Sequence, residues 1–156
     1  MKVYKNFDLT NFNSYNIQST CEEAYFPDSE NDIVDFFKKN TTYNLIGSGH
    51  NIILSKKKYR KPFLILNNNF NNIICDDTTI IGEAGVSMFE LSLFALNNSL
   101  KGLEVFYDIP SSLGGAVVMN AGAFGEDIKD ILTKVRYLDL STLEVNEIEG
   151  DFTSFF

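Results

Sequence analysis

Positive charge, long apolar runs, paired thiols and histidine are all scarce in this chain of 156 residues. Thirteen Lys and Arg stand against 21 Asp and Glu, a formal net charge of −8. That balance argues against tracking a phosphate backbone, which needs a basic stripe, so nucleic acid is not an expected partner. The longest apolar runs, 52–54 (IIL) and 116–119 (AVVM), fall far short of the roughly 20 residues a membrane helix requires. The opening MKVYKNFDLTNF has charge but no apolar h-region, so no secretory signal is expected and the expected location is cytoplasmic. Cys21 and Cys75 lack a CxxC or CxxH partner, so both are expected to be small structural residues, and no metal site is expected. The single histidine, His50, has no Cys, His or carboxylate cluster beside it. A Ser-His-Asp set, a GxSxG elbow, an HExxH motif and a paired carboxylate are all missing, so no catalytic residue is assigned.

What is present is an ordinary globular composition, 44% apolar, enough for one good core or two small packed lobes. Residues 7–17 (FDLTNFNSYNI) are polar and aperiodic and predict an extended arm. A short strand is expected at 23–26. The spacing of Ile33, Phe36 and Phe37 behind a Ser29/Asp32 capping pair predicts an amphipathic helix over 29–39. A second strand at 43–46 then makes a strand, helix, strand crossover of parallel type. The run 52–54 reads as a strand, and 63–66 closes a first lobe. NNNFNN at 67–72 has the chemistry of a boundary. Beyond it, 73–75 and 79–83 flank Asp76-Asp77 as a hairpin. Ser87 with Glu90 predicts a capped helix that stops near Asn97-Asn98, and 132–140 with 143–148 predicts a hairpin around Ser141-Thr142. The last six residues, with Phe152, Phe155 and Phe156 behind Asp151, read as the first turn of a further element.

Two stretches carry the chemistry. Gly47-Ser48-Gly49-His50-Asn51 follows a strand but fails as a dinucleotide fingerprint, because the third glycine would fall at Ile52 and no helix follows. What survives is a loop whose backbone N–H groups, serine hydroxyl and Asn amide suit phosphate oxygens; a structural turn is the plainer alternative. The stretch 102–125 (GLEVFYDIPSSLGGAVVMNAGAFG) repeats that chemistry more densely. Pro110 fixes a turn, Gly114-Gly115 can open a helix whose first N–H groups face an anion, and Asn120, Gly122 and Gly125 continue a surface of little bulk. A packing device is the alternative there. Phosphate-friendly loops in two lobes suggest a ligand held between them. The basic run Lys56, Lys57, Lys58, Arg60 and Lys61 reads as a solvated loop, with a nucleotide contact as the alternative.

GSGHNIILS and the long run GEAGVSMFELSLFALNNSLKGLEVFYDIPSSLGGAVVMNAGAFGEDIKDIL resemble the N-terminal FAD-binding part of the UDP-N-acetylenolpyruvoylglucosamine reductase family (UDP-N-acetylmuramate dehydrogenase, MurB). NSYNI at 13–17 is similar to that family's N-terminal arm. The resemblance implies an α+β, two-lobed FAD-binding domain of the vanillyl-alcohol-oxidase (PCMH) type over 1–156, with lobe 1 at about 18–67 and lobe 2 at about 72–156. FAD would lie between the lobes. It implies that Gly47, Ser48, Gly49, His50 and Asn51 contact FAD on one side, and Pro110, Ser111, Gly114, Gly115, Asn120, Gly122 and Ala123 on the other. In the family NADPH reduces the flavin, which then reduces UDP-N-acetylglucosamine enolpyruvate to UDP-N-acetylmuramate for peptidoglycan. Ser48 and His50 depart from a GGGSN-like loop, and Ser111 stands where IPG is usual; a serine there carries strain if the position needs positive φ. The family's Tyr-Arg motif and its substrate domain, with a serine proton donor and a glutamate, would fall after Phe156. The expectation is therefore a truncated flavin domain without its C-terminal substrate domain, meeting the UDP-sugar only if such a domain is supplied. The alternatives are a degenerate flavin-fold module with a binding or interaction role, and the same domain serving another flavin oxidoreductase.

Overall fold

The computed structural model describes residues 1–67, 69–150 and 152. Its first half is a mixed sheet. Strand β1 (Lys2–Asp8) runs antiparallel to β2 (Thr20–Phe26), and β2 is parallel to β5 (Phe63–Ile65), which is parallel to β3 (Asn44–Ile46). The short β4 (Lys58–Tyr59) pairs with the start of β2. Between β2 and β3 runs α1 (Glu30–Lys39), so the expected crossover is present, with β5 inserted between its two strands.

Helix α1 starts where its sequence can cap it. Ser29 Oγ accepts the Asp32 N–H at 3.2 Å, Glu30 and Asp32 lie in the first turn, and Lys38 and Lys39 in the last, in the sense the helix dipole favours. Its buried Phe36 meets the rings of Tyr25, Phe37 and Tyr43. Beneath the sheet, Leu9, Cys21, Ala24, Ile46, Leu54, Phe63 and Ile65 form one apolar cluster.

Among the described residues the second half contains three separate two-stranded ladders: β6 (Ile73–Asp76) with β7 (Thr79–Gly82), β8 (Gly122–Ala123) with β9 (Glu126–Asp127), and β10 (Lys134–Asp139) with β11 (Glu144–Glu149). Helix α2 (Met88–Asn97) has a complete capping box, with Ser87 Oγ accepting the Glu90 N–H and the Glu90 carboxylate accepting the Ser87 N–H. Helix α3 (Leu113–Met119) opens at the glycine pair. A second cluster of Val86, Met88, Leu91, Phe106, Ala116 and Ile128 lies among these elements. Arg136 on β10 ties the halves together by donating to Glu30 at 2.9 Å, and it also donates to Glu147 on the neighbouring β11 at 3.0 Å.

Three expectations need correction. Residues 7–17 are not simply an extended arm. β1 occupies 2–8, and the chain then makes a 3-10 turn at Thr10–Phe12 around the buried Asn13. β1 is an edge strand rich in polar side chains, so it carries little alternation to read. Residues 52–54 form no strand, because this stretch finds no ladder partner. The backbone just beyond them is anchored instead by Ser19 Oγ to Lys56 O and Thr20 N–H to Lys57 O. Cys21 is fully buried, but Cys75 is exposed on β6 with its Sγ 3.3 Å from Asp77 O, so only the first is a core residue. The reading of 151–156 as a helical turn falls outside the described residues, apart from Phe152. Among the described residues no helix is long and apolar enough to cross a membrane.

Candidate functional site

The loop at 47–51 leaves the end of β3. Its shape depends on the N-terminal segment beneath it. Gly49 takes φ +76°, and a Cβ there would lie 2.1 Å from Phe12 O. Ser14 N–H donates to Gly49 O at 3.2 Å. Asn13 makes that support rigid: its Nδ2 donates to the carbonyls of Leu9, Thr10 and Ile17 at 3.0–3.1 Å, and its Oδ1 accepts the Ile17 N–H at 2.9 Å. The backbone N–H groups of residues 47–51 find no acceptor among the described residues. Backbone donors left free by the fold are what an anionic ligand can use.

The second loop is braced differently. Ser111 N–H donates to Ile109 O at 2.8 Å, so Pro110 is the apex of a three-residue turn, and Ser111 O accepts the Met88 N–H at 2.9 Å. Ser111 is not among the residues with positive φ, so the strain raised by a serine at this position does not arise. Ser112, 1% exposed, caps α3 by accepting the Gly115 N–H at 3.4 Å. The other early donors of α3 are also taken: Leu113 N–H by Val86 O at 2.7 Å, Gly114 N–H by Ala84 O at 2.9 Å and Ala116 N–H by Ser112 O at 2.8 Å. The expectation that these groups face an anion is therefore corrected. Gly114 is a packing residue, since a Cβ there would lie 2.8 Å from Ala84 Cβ.

The two loops meet. Ser48 Oγ donates to Pro110 O at 3.3 Å, and a Cβ on Gly47 would lie 2.2 Å from Ser112 Oγ. Gly115 borders the same spot, with its Cβ direction 3.1 Å from Ser112 Oγ and 3.2 Å from Ser111 Oγ. Gly47, Ser48, Pro110, Ser111 and Gly115 are thus gathered at one junction. Gly49 is buried just behind it, while His50 and Asn51 are exposed. Asn120, Gly122 and Ala123 lie past the far end of α3, about 10 Å of helix away. Phe12, Asn13, Ser14 and Ser112 complete the site, and none of them was expected there as a site residue. Ser112 carried a local signal, as a serine directly before a helix, and Asn13 and Ser14 lie in the NSYNI stretch whose resemblance gave no role to either residue. Among the described residues no cluster of three His, Cys, Asp or Glu is disposed to hold a metal. The arrangement is one of donors, hydroxyls and closely approaching backbone, chemistry that binds and orients.

This fold, with a small mixed sheet joined through two glycine-bearing loops to a second α+β half, is the FAD-binding fold of the vanillyl-alcohol-oxidase (PCMH) type. Its backbone matches a UDP-N-acetylenolpyruvylglucosamine reductase (MurB) from Thermus caldophilus with a TM-score of 0.71 at 18% identity, over 95% of this chain and 52% of that one. A solvent-stable cholesterol oxidase matches with a TM-score of 0.67 at 16% identity, over 95% of this chain and 33% of that one. The chain belongs to the FAD binding domain family, whose model matches residues 24–145. In sequence it is similar to the UDP-N-acetylenolpyruvoylglucosamine reductase of Francisella tularensis subsp. tularensis, 36% identical over 140 residues, covering 89% of this chain and 50% of that protein. The chain spans about half the length of the curated relatives it matches. FAD is the family's cofactor, and the junction fits its diphosphate: free N–H groups on one side, side-chain-poor backbone on the other.

Proposed function

We propose that this chain forms the FAD-binding portion of a MurB-type reductase, holding FAD between a lobe at about 18–67 and a lobe at about 72–156. The observation that carries the reading is the junction itself, where a loop whose N–H groups have no acceptor among the described residues meets the second loop through Ser48 Oγ on Pro110 O and Gly47 against Ser112 Oγ. Gly47, Ser48, Gly49, His50 and Asn51 supply backbone donors, a hydroxyl and an amide to the diphosphate. Pro110, Ser111, Gly114, Gly115, Gly122 and Ala123 form the opposing wall. Bound FAD supplies the capacity to accept hydride from NADPH and pass it on. The substrate we propose for the complete cytoplasmic enzyme is the enolpyruvyl ether of UDP-N-acetylglucosamine. This chain's own part is to bind the cofactor and hold it. The proton donor for the substrate and the grip on the UDP-sugar come from a further domain.

The spent donors of α3 favour a second reading, a flavin-fold module that binds without turnover of its own. Calorimetric titration with FAD and with riboflavin tests the first reading. Saturable 1:1 binding of FAD, with riboflavin far weaker for want of the diphosphate, supports it; folded protein that ignores FAD sinks it. NADPH-driven reduction of the UDP-sugar by this chain alone excludes the second.

A further inference from the structure

The segment from Asn120 to Asp130 contains a network that direct ligand contact does not require. Asn120 ends α3 in the left-handed region, at φ 45° and ψ 52°. Asparagine tolerates that conformation better than most residues. Its side chain is engaged at both ends: Nδ2 donates to Asp127 Oδ2 at 3.0 Å, and Oδ1 accepts the Lys129 N–H at 3.3 Å. Lys129 Nζ lies 3.4 Å from the same Asp127 oxygen. Ile128 N–H donates to Ala121 O at 2.9 Å, and Asp127 N–H donates to Asp130 Oδ2 at 2.9 Å. Between these anchors, β8 and β9 have two residues each and turn through Phe124 (φ 57°) and Gly125 (φ 89°). Phe124 is 99% exposed, so the turn has no apolar anchor of its own. So short a ladder does not hold its register unaided. Gly122 is pressed against the anchor, since a Cβ there would lie 2.3 Å from Asp127 Oδ1.

We infer that Asn120 and Asp127 form a positioning clamp that holds Gly122 and Ala123 in place for the cofactor, with Asn120 acting through Asp127 rather than by touching the ligand. The ligand half of this inference rests on the FAD reading above.

Reversing the polarity of the pair tests it. Asn120→Asp sets carboxylate against carboxylate. Asn120→Asp combined with Asp127→Asn restores one donor and one acceptor in exchanged positions and leaves an oxygen for the Lys129 N–H. Asp127→Ala removes the acceptor without adding charge and serves where Asn120→Asp does not fold. Two readouts apply: amide hydrogen exchange at 121–128 in the FAD-free chain, and FAD affinity by titration. A hydrogen bond to a charged group sets the scale. Asn120→Asp and Asp127→Ala should each speed exchange at Ile128 and weaken FAD binding about tenfold or more, and the exchanged pair should return both to within about threefold of wild type. Single variants that leave both readouts within about twofold of wild type overturn the clamp. An exchanged pair that regains protection but not affinity shows that Asn120 touches the ligand itself, which also overturns the inference. A folded wild-type chain that binds no FAD overturns the ligand half, whatever the exchange data show.

Discussion

Replacing Gly49 by alanine is the sharpest perturbation of the junction. The residue lies at φ +76°, where an L side chain is disfavoured by about 1–2 kcal/mol. The new Cβ would lie 2.1 Å from Phe12 O, 2.8 Å from Phe12 C and 3.1 Å from Asn13 Cα. These are backbone atoms, and Asn13 holds them with four hydrogen bonds, so no rotamer change relieves the overlap. Overpacking of this kind costs about 1–3 kcal/mol. The two effects together give a loss of about 3 kcal/mol, a large share of the stability of a small domain. Gly125→Ala is the control: φ is +89°, but nothing lies within 4 Å, so only the conformational cost of about 1 kcal/mol applies. Urea unfolding followed by far-UV circular dichroism measures both. Equal losses for the two variants, or a Gly49→Ala protein within about 0.5 kcal/mol of wild type, would refute the seating of this loop on the N-terminal segment.

Gly114→Ala should lose about 1–3 kcal/mol through contact with Ala84, and Ala84→Gly in the same chain should recover most of it; additive effects in the urea series would contradict that packing. Ser112→Ala should cost about 1 kcal/mol as a lost helix cap, read in the same way. Burial pushes the Cys21 thiol up to about 11 while Cys75 is exposed, so a thiol reagent at pH 8 should label only Cys75 in folded protein and both in urea. The contribution of the protonated Cys21 is present below the ordinary thiol value and is lost as pH rises through about 11. The hydrogen bond from Arg136 holds Glu30 below the usual carboxylate range, so its contribution is present above that range and is lost as pH falls through the lowered value. Arg136→Gln should therefore be slightly less stable than wild type at pH 7, with the gap closing in acid, as pH-dependent melting will show.

The parts of this fold that are legible in sequence are those written locally. Ser29 with Asp32 and Ser87 with Glu90 announce α1 and α2 because a cap and its partner lie within one turn. The ladders at 73–82 and 134–149 are equally local. β1 is hidden because an edge strand is free to be polar, and 52–54 misleads because an apolar run does not supply a pairing partner. At the site, glycine marks backbone that comes close to something without saying to what. Gly49 lies on Phe12 and Gly114 on Ala84. The acceptors that occupy the N–H groups of α3, Ala84 and Val86, are fixed by tertiary packing, as is the contact from Ser48 to Pro110, 62 positions apart.

In the proposed complex the free backbone donors of 47–51 take the FAD diphosphate while those of α3 remain bonded within the protein. Amide resonances of the isotope-labelled chain, followed through an FAD titration, distinguish the two sets of donors. Saturating shifts concentrated at residues 47–51, with Leu113 and Gly114 amides still protected from exchange, are the predicted result. FAD binding that leaves 47–51 unmoved, or that frees the α3 amides to serve the ligand, would rule out this division of the donors.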